Sequence, residues 1–464
     1  MDGAMAGSEE LFVLPRGADR YYLYAPLRRV VAEANAAAVE AVAQYLHQPR
    51  ATLAPQAAAV IEQLRAQGLF REPLPQPPLF PEAYDFYPHE VTLFPTSRCN
   101  LRCRYCYANA GCKAVDMPWE VAQAAIDLVA ANAGWLGSPR FAVGFHGGGE
   151  PMLAWDMVVR AVEYARRKAE QTGLEAEVYA ATNGLLTPEQ REFVARHFST
   201  LTVSLDGPPE VQDHNRPTLH GGGSYALVAA TLRDFDARGF PYGLRSTITA
   251  TTAGRMAETV DWLASEFRTQ YLHLEPVWLC GRCATTGERP PTDEDFVREF
   301  LRARDAGRRR GIGVFYSGAR LDVLTSKFCG APGDGFSVLP EGLITSCYEI
   351  TDVRDPRAAT FHYGRYLPEK GRFEFDRQRI AALQKYSVDH WPHCADCFCR
   401  WHCAGDCLSK VFEKSGGDCH QGSDRCRLNR ALTLADLDEV VSAARREPSR
   451  DGGRGADERD CENT

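Results

Sequence analysis

Three cysteines follow one another as Cys99-x3-Cys103-x2-Cys106, directly after a short β-like run at residues 91–94. Thiolates at this spacing on one loop can hold three irons of a four-iron cluster, because thiolate is the usual iron–sulfur ligand. No fourth cysteine stands close by in the right frame, and Cys112, six residues on, reads as accessory. An incomplete ligand set leaves one iron open to a small molecule. A zinc knuckle is the competing reading, since cysteine also suits zinc. A second array lies late in the chain: Cys329-x12-Gly342-x4-Cys347, then Cys394-x2-Cys397-x5-Cys403-x3-Cys407, then Cys426. Its zinc-ribbon alternative rests on the same C-x2-C chemistry.

Between the two arrays lie loops suited to a polar small molecule. His146-Gly147-Gly148-Gly149-Glu150-Pro151 offers glycines that let backbone approach a ligand and a carboxylate that can accept from an amine. Thr182-Asn183-Gly184 forms a second turn. Ser204-Leu205-Asp206-Gly207, followed by Asp213-His214-Asn215-Arg216, supplies hydroxyl and carboxylate partners for a ribose and a guanidinium for a carboxylate. Glu275 stands where it could line the same mouth or serve a surface or capping role.

The elements that position these loops alternate in type from about 89 to 310. Strands are expected at 91–94, 141–145, 177–181, 201–205, 243–249 and 271–275, with helical stretches at 118–131, 155–168, 188–197, 225–238 and 255–267. Six successive βα units mean parallel strands with right-handed crossovers, and six suit a partial (β/α)6 barrel better than a closed eight-fold one. In such sheets the chemistry sits on loops at the carboxyl ends of the strands. Ahead of this array, residues 1–80 read as a separate unit. It has short strands at 11–14 and 21–24, turn residues Pro15, Gly17 and Asp19, helices over 30–46 and 54–64, and a returning strand at 69–70. Five prolines within 73–81 form a stiff linker, which places a domain boundary there. After about 312 the pattern breaks into short strands, glycines and cysteines, where bound metal would supply cross-links that a small core cannot. A closing helix is expected at 427–446 and a disordered tail at 447–464. The predicted domains are therefore 1–80, 81–311 and 312–446.

The chain has 464 residues and 16 cysteines, too long and too free of secretory features for a disulfide scaffold. Its net charge of −8 argues against non-specific nucleic-acid binding. No apolar run approaches the ~18 residues of a membrane span, and the acidic start lacks the apolar region of a signal peptide, so a cytoplasmic location is expected.

The Cys99–Cys106 segment resembles the signature of the radical S-adenosylmethionine (SAM) superfamily. That resemblance implies a [4Fe–4S] cluster on Cys99, Cys103 and Cys106 whose open iron chelates the amino and carboxylate groups of SAM. It also implies a 5′-deoxyadenosyl radical that abstracts hydrogen from a substrate. The glycine-rich loop, the Thr-Asn-Gly turn and the Ser204–Arg216 stretch are similar to the family's SAM-binding segments. They imply SAM contacts from His146, Gly148, Gly149, Glu150, Asn183, Ser204, Asp206 and Arg216. The late cysteines resemble the seven-cysteine SPASM motif, which implies two auxiliary [4Fe–4S] clusters and hence three in all. On that pattern Cys394, Cys397, Cys403 and Cys426 hold the outer cluster, and Cys329, Cys347 and Cys407 hold the inner one. The inner set is one ligand short, and Cys280, Cys283 or an open iron completes it. Cys399, Cys419 and Cys461 are taken as non-ligands. In sulfatase-maturating relatives an Asp follows the cysteine that matches Cys347; here Tyr348 and Glu349 follow, and these two are the candidates for proton handling.

Residues 10–72 resemble the winged-helix-like recognition element of enzymes that mature ribosomally made, post-translationally modified peptides (RiPPs), in which a leader peptide adds a strand to a sheet edge. A DNA-binding winged helix is disfavoured, because residues 33–47 are Ala-rich with no basic face. The expected function is a radical SAM/SPASM peptide maturase that forms a thioether or carbon–carbon cross-link. Its expected partners are a ribosomal precursor peptide with a leader and an electron donor such as flavodoxin or ferredoxin, with no nucleic acid and no membrane. An anaerobic sulfatase-maturating enzyme is the alternative. A non-enzymatic electron-transfer or zinc-structured protein is the third reading.

Overall fold

The computed structural model describes residues 3–5, 10–48, 52–81, 84–112, 114–415 and 421–446. The tail expected to be disordered, 447–464, lies outside the described residues, as do Cys419 and Cys461. The chain divides into two compact units, one of residues 1–76 with 432–464 and one of residues 77–431.

The first unit is built on an antiparallel meander of β1 (Gly3–Met5), β2 (Leu11–Gly17), β3 (Arg20–Ala25) and β4 (Val30–Ala34), in that spatial order. Two helices follow, Ala36–His47 and Pro55–Ala66. The core closes on Leu11, Leu23, Val42, Ile61, Leu64 and Leu69. Two local expectations fail here. Residues 30–34 form a strand rather than the start of a helix, because Val30 to Ala34 pair with Ala25 to Tyr21. The helix begins only where the Asn35 side chain accepts from the Ala38 amide. Residues 69–70 form a turn, with Phe70 at φ 57°, and bury their side chains without strand pairing. Within the same unit, Asp438 accepts from Arg16 Nε at 3.1 Å and from the Tyr22 hydroxyl at 2.7 Å.

In the second unit β5 (Glu90–Leu93), β6 (Arg140–Phe145), β7 (Glu175–Thr182), β8 (Thr200–Ser204), β9 (Tyr242–Ile248) and β10 (Tyr271–Pro276) lie side by side, all parallel. These are the six strands read from the sequence. Their crossover helices follow the expected pattern. In Trp155–Thr172 the buried positions 158, 161, 162, 165 and 169 repeat at helical spacing, and Gly173 at φ 69° ends the helix. Pro188–His197 starts with a reciprocal Thr187/Gln190 capping box. The sheet does not close. A short parallel β11 (Gly313–Phe315) adds beside β10. At the other edge β12 (Ser337–Val338) pairs parallel with β5, and β13 (Leu343–Thr345), β14 (His362–Leu367) and β15 (Arg372–Phe375) continue antiparallel. The result is one sheet of eleven strands, to which segments 81–311 and 312–446 both contribute. Among the described residues no helix is long and apolar enough to cross a membrane.

Candidate functional site

The loop leaving β5 carries Cys99, Cys103 and Cys106. Burial pushes the Cys99 thiol up to about 11 and the Cys103 thiol up to about 12, and the three sulfurs lie close enough that each neighbour adds to the rise. The loop is fastened from several sides. The amides of Arg102 and Arg104 donate to the carbonyls of Pro217 and Asn215 at 2.7 and 2.9 Å. The Arg104 guanidinium pairs with the buried Glu288 carboxylate at 2.6 Å. Arg282 donates to the Cys103 carbonyl at 2.9 Å. Cys112 is exposed.

The loops at the next strand ends converge on this one. A Cβ on Gly149 would overlap the backbone of Thr96, Ser97 and Arg98, so this glycine is required for contact between two loops. Gly148 by contrast meets only Thr351, at 3.6 Å. Glu150 is buried, and its carboxylate accepts from the Thr182 hydroxyl and the Asn183 amide, both at 2.7 Å; burial raises it to about 6. Asn183 also donates to the Asn100 side chain at 2.7 Å, tying the Thr-Asn-Gly turn to the cysteine loop. The His146 imidazole is held neutral, lowered to about 4 by burial and by the charge of Arg245, and its buried Nδ1 has no hydrogen-bond partner.

Asp206 sits differently from the expectation of a ribose ligand. Its oxygens accept from the Tyr105 hydroxyl, Asn215 Nδ2 at 3.0 Å, Arg216 Nε at 3.1 Å and the Thr247 amide at 3.0 Å. Arg216 in turn lies over the Tyr105 ring at 5.2 Å. Asp206 therefore holds Tyr105, between Cys103 and Cys106, against the end of β8, where Ser204 closes the strand. Glu275 is no open lining residue either. It is buried, pairs with Arg425, and accepts from Ser317 Oγ at 2.8 Å.

The late cysteines fall into two groups. Cys329, Cys347 and Cys407 act on one another's thiols, and Glu349 acts on all three. The Glu349 carboxylate accepts from Ser409 Oγ at 2.7 Å. Cys394, Cys397, Cys403 and Cys426 form the other group. There Asn429 Nδ2 donates to Cys403 Sγ at 3.1 Å and Arg430 Nε to Cys397 Sγ at 3.4 Å. Bonds from Cys399 and Arg430 lower the Cys397 thiol below the ordinary value. The two halves of the C-x2-C pair past β10 part company. Cys280 lies near Glu349, whereas Cys283 is buried beside Tyr105, Val277 and Cys103. Among the described residues no three His, Cys, Asp or Glu side chains come together tightly enough for a single ion.

Tyr348 links the two regions. Its ring stacks on His146 with centroids 4.7 Å apart, and it follows Cys347 in the chain. The side chain of Arg245, a residue in register with Ser204, has no ion pair or hydrogen bond among the described residues, and its charge bears on His146, Tyr107 and His273. The signal for Arg245 in the sequence is a charged residue in the middle of an expected parallel strand.

Residues 93–263 match the Radical SAM superfamily. That segment is a radical SAM domain. Such a domain implies SAM and a [4Fe–4S] cluster. The residues fit that pair: three grouped thiols, a buried carboxylate in the glycine loop, and an imidazole with an unfilled nitrogen. The chain is 26% identical to an uncharacterized protein of Archaeoglobus fulgidus over 374 residues, 75% of this chain and 80% of that one. It is 30% identical to pre-heme d1 synthase of Dinoroseobacter shibae over 165 residues, only 35% and 37% of the two chains. Among solved structures, anSMEcpe with bound AdoMet and Kp18Cys peptide superposes with a TM-score of 0.61 at 18% identity, over 77% of this chain and 99% of that one. Streptococcus suis SuiB bound to precursor peptide SuiA superposes with a TM-score of 0.54 at 14% identity, over 88% and 97%. These two likenesses show the shared fold.

Proposed function

We propose that this radical SAM enzyme is a SPASM-type peptide maturase that oxidatively cross-links a ribosomal precursor peptide. The observation that carries this is the grouping of the late cysteines into a set of three and a set of four, with the set of three joined to the SAM loop through Tyr348 on His146. On this reading Cys99, Cys103 and Cys106 hold the SAM-binding cluster, Cys329, Cys347 and Cys407 an inner auxiliary cluster, and Cys394, Cys397, Cys403 and Cys426 an outer one. Bound SAM and its cluster supply a hydrogen-abstracting 5′-deoxyadenosyl radical. The chain's own residues bind and orient. His146, Gly148, Gly149 and Glu150 receive the methionine end of SAM, and Asn183, Ser204 and Arg216 line the rest. Asp206 positions Tyr105 and Arg216. Tyr348 and Glu349 flank the place where a substrate radical is oxidised. Residues 1–80 bind the leader, with β4 as the free edge for an added strand. Residues 81–311 form the catalytic barrel and 312–446 the auxiliary-cluster domain. A flavodoxin or ferredoxin supplies the reducing electron.

Support for a peptide substrate comes from the fold shared with SuiB and anSMEcpe, both solved with peptides. Tyr348 in place of an Asp after Cys347 sets the chain apart from sulfatase maturation. The partial identity to pre-heme d1 synthase carries a second reading, a haem precursor as substrate. One experiment separates them. The anaerobically reconstituted full chain is given SAM, a reductant, and either precursor peptides encoded beside the gene or an iron porphyrin. A peptide lighter by two hydrogens, with matching 5′-deoxyadenosine, supports the proposal. Conversion of the porphyrin alone overturns it.

A further inference from the structure

A row of hydroxyls crosses the barrel from the mouth to its far end. The Tyr348 hydroxyl bonds Thr92 Oγ1 at 2.9 Å, Thr92 Oγ1 bonds the Tyr179 hydroxyl at 3.3 Å, and Tyr179 donates to the Glu90 carboxylate. The two ends differ. Tyr348 stacks on His146 in the glycine loop, while Glu90 opens β5 at the end away from the cysteine loop and is exposed. Thr92, in the middle, is buried. The row depends on one small residue. Thr92 is in register with Gly144 and Gly144 with Tyr179, so three adjacent strands line up. A Cβ on Gly144 would overlap the Tyr179 ring, so only glycine lets that phenol lie across β6 and reach Thr92.

We propose that Tyr348, Thr92, Tyr179 and Glu90 form a proton relay that drains the proton released on substrate oxidation from the mouth to water at the opposite end of the barrel. This rests on the oxidative maturase reading. Abstraction removes one hydrogen atom from a peptide C–H bond and leaves 5′-deoxyadenosine. Closing the new bond to a thiol sulfur or a carbon then breaks one S–H or C–H bond and releases one proton and one electron. An oxidised four-iron cluster held by Cys329, Cys347 and Cys407 would accept the electron. The proton passes to Tyr348, each hydroxyl accepting one proton and giving up its own, and ends on the Glu90 carboxylate, from which water removes it. Each hydroxyl both donates and accepts, so none needs to ionise fully.

The test is Tyr179→Phe, with Glu90→Gln as a second variant cut from the exposed end, both on the full reconstituted chain with the peptide that the wild type converts. The readouts are peptide product per 5′-deoxyadenosine and the solvent deuterium isotope effect on product formation. The expected result is 5′-deoxyadenosine formed as in the wild type, product per 5′-deoxyadenosine down about 10²-fold for Tyr179→Phe, the lower end of a positioned proton-transfer group, and a changed isotope effect in both variants. Wild-type product yield and isotope effect in both variants overturn the relay while leaving the maturase reading intact. A wild type that oxidises no peptide overturns the maturase reading itself.

Discussion

Tyr348 and His146 stack face to face, centroids 4.7 Å apart and planes 30° apart, and so join a cysteine-bearing loop of the late sequence to the glycine loop of the early barrel. Phe94, the residue after β5, meets the same Tyr348 ring edge-on at 5.9 Å. Removing this platform by Tyr348→Ala should leave SAM cleavage measurable but detach it from product formation. Assay of 5′-deoxyadenosine against peptide product checks this, and undiminished coupling would remove Tyr348 from the mechanism.

The Cys99, Cys103 and Cys106 positions should behave as one unit. Any Cys→Ala change among them should abolish 5′-deoxyadenosine and remove about four of the about twelve irons that three four-iron clusters hold. Iron analysis beside the cleavage assay checks both halves. The four cysteines of the outer group should differ: Cys394→Ala or Cys397→Ala should lose cross-linking and keep part of the uncoupled cleavage.

Asp206 carries a structural load that activity assays alone would disguise. Asp206→Ala strips the partner from buried Arg216, whose guanidinium is left charged and unpaired. Breaking a buried pair from one side costs about 3–5 kcal/mol. Denaturant unfolding should show a loss of that size, and a change under 1 kcal/mol would mean that the Tyr105–Arg216 network is not formed.

Glu150 should give SAM binding a pH dependence. Burial raises its carboxyl to about 6, so the carboxylate that would receive the SAM amine is present above that pH and protonated below it. Affinity for SAM should fall as pH drops through about 6, and Glu150→Gln should flatten that limb. For folding the sign is opposite to the usual carboxylate. The folded chain holds this proton where the unfolded chain, at the ordinary carboxyl value of 4.5, has lost it, so Glu150's share of stability declines as pH rises from about 4.5 to 6.

Hydrogen bonds to cluster sulfurs raise reduction potentials. Asn429→Leu and Arg430→Met each remove a donor to an outer-group sulfur. Both should shift the potential of that cluster downward in an EPR-monitored titration, leaving the SAM-binding cluster unmoved.

The six barrel strands were legible because each is a short apolar run that ends in a loop of glycine or polar residues. The Cys99, Cys103 and Cys106 group was legible because the three share one loop, whereas the division of the late cysteines into a set of three and a set of four came from the SPASM resemblance and not from spacing. β4 was misread because Val30 to Ala34 also fits helical spacing, and only pairing with β3 decides the matter. The joining of β12 to β5 depends on contact between residues some 245 apart in the chain, Ser337 and Thr92, which no local pattern carries. The same holds for the Thr92, Gly144 and Tyr179 row, which exists only once three strands are in register. Gly149 also meets a packing need that no local pattern carries, since a Cβ there would overlap residues 96–98.

The most direct test is electron–nuclear double resonance on the reduced, reconstituted enzyme with SAM labelled at the methionine amino nitrogen and carboxylate. Coupling of both labels to the cluster held by Cys99, Cys103 and Cys106 is the predicted result. A spectrum that SAM leaves unchanged, or a protein that takes up zinc in place of iron at these cysteines, would contradict it.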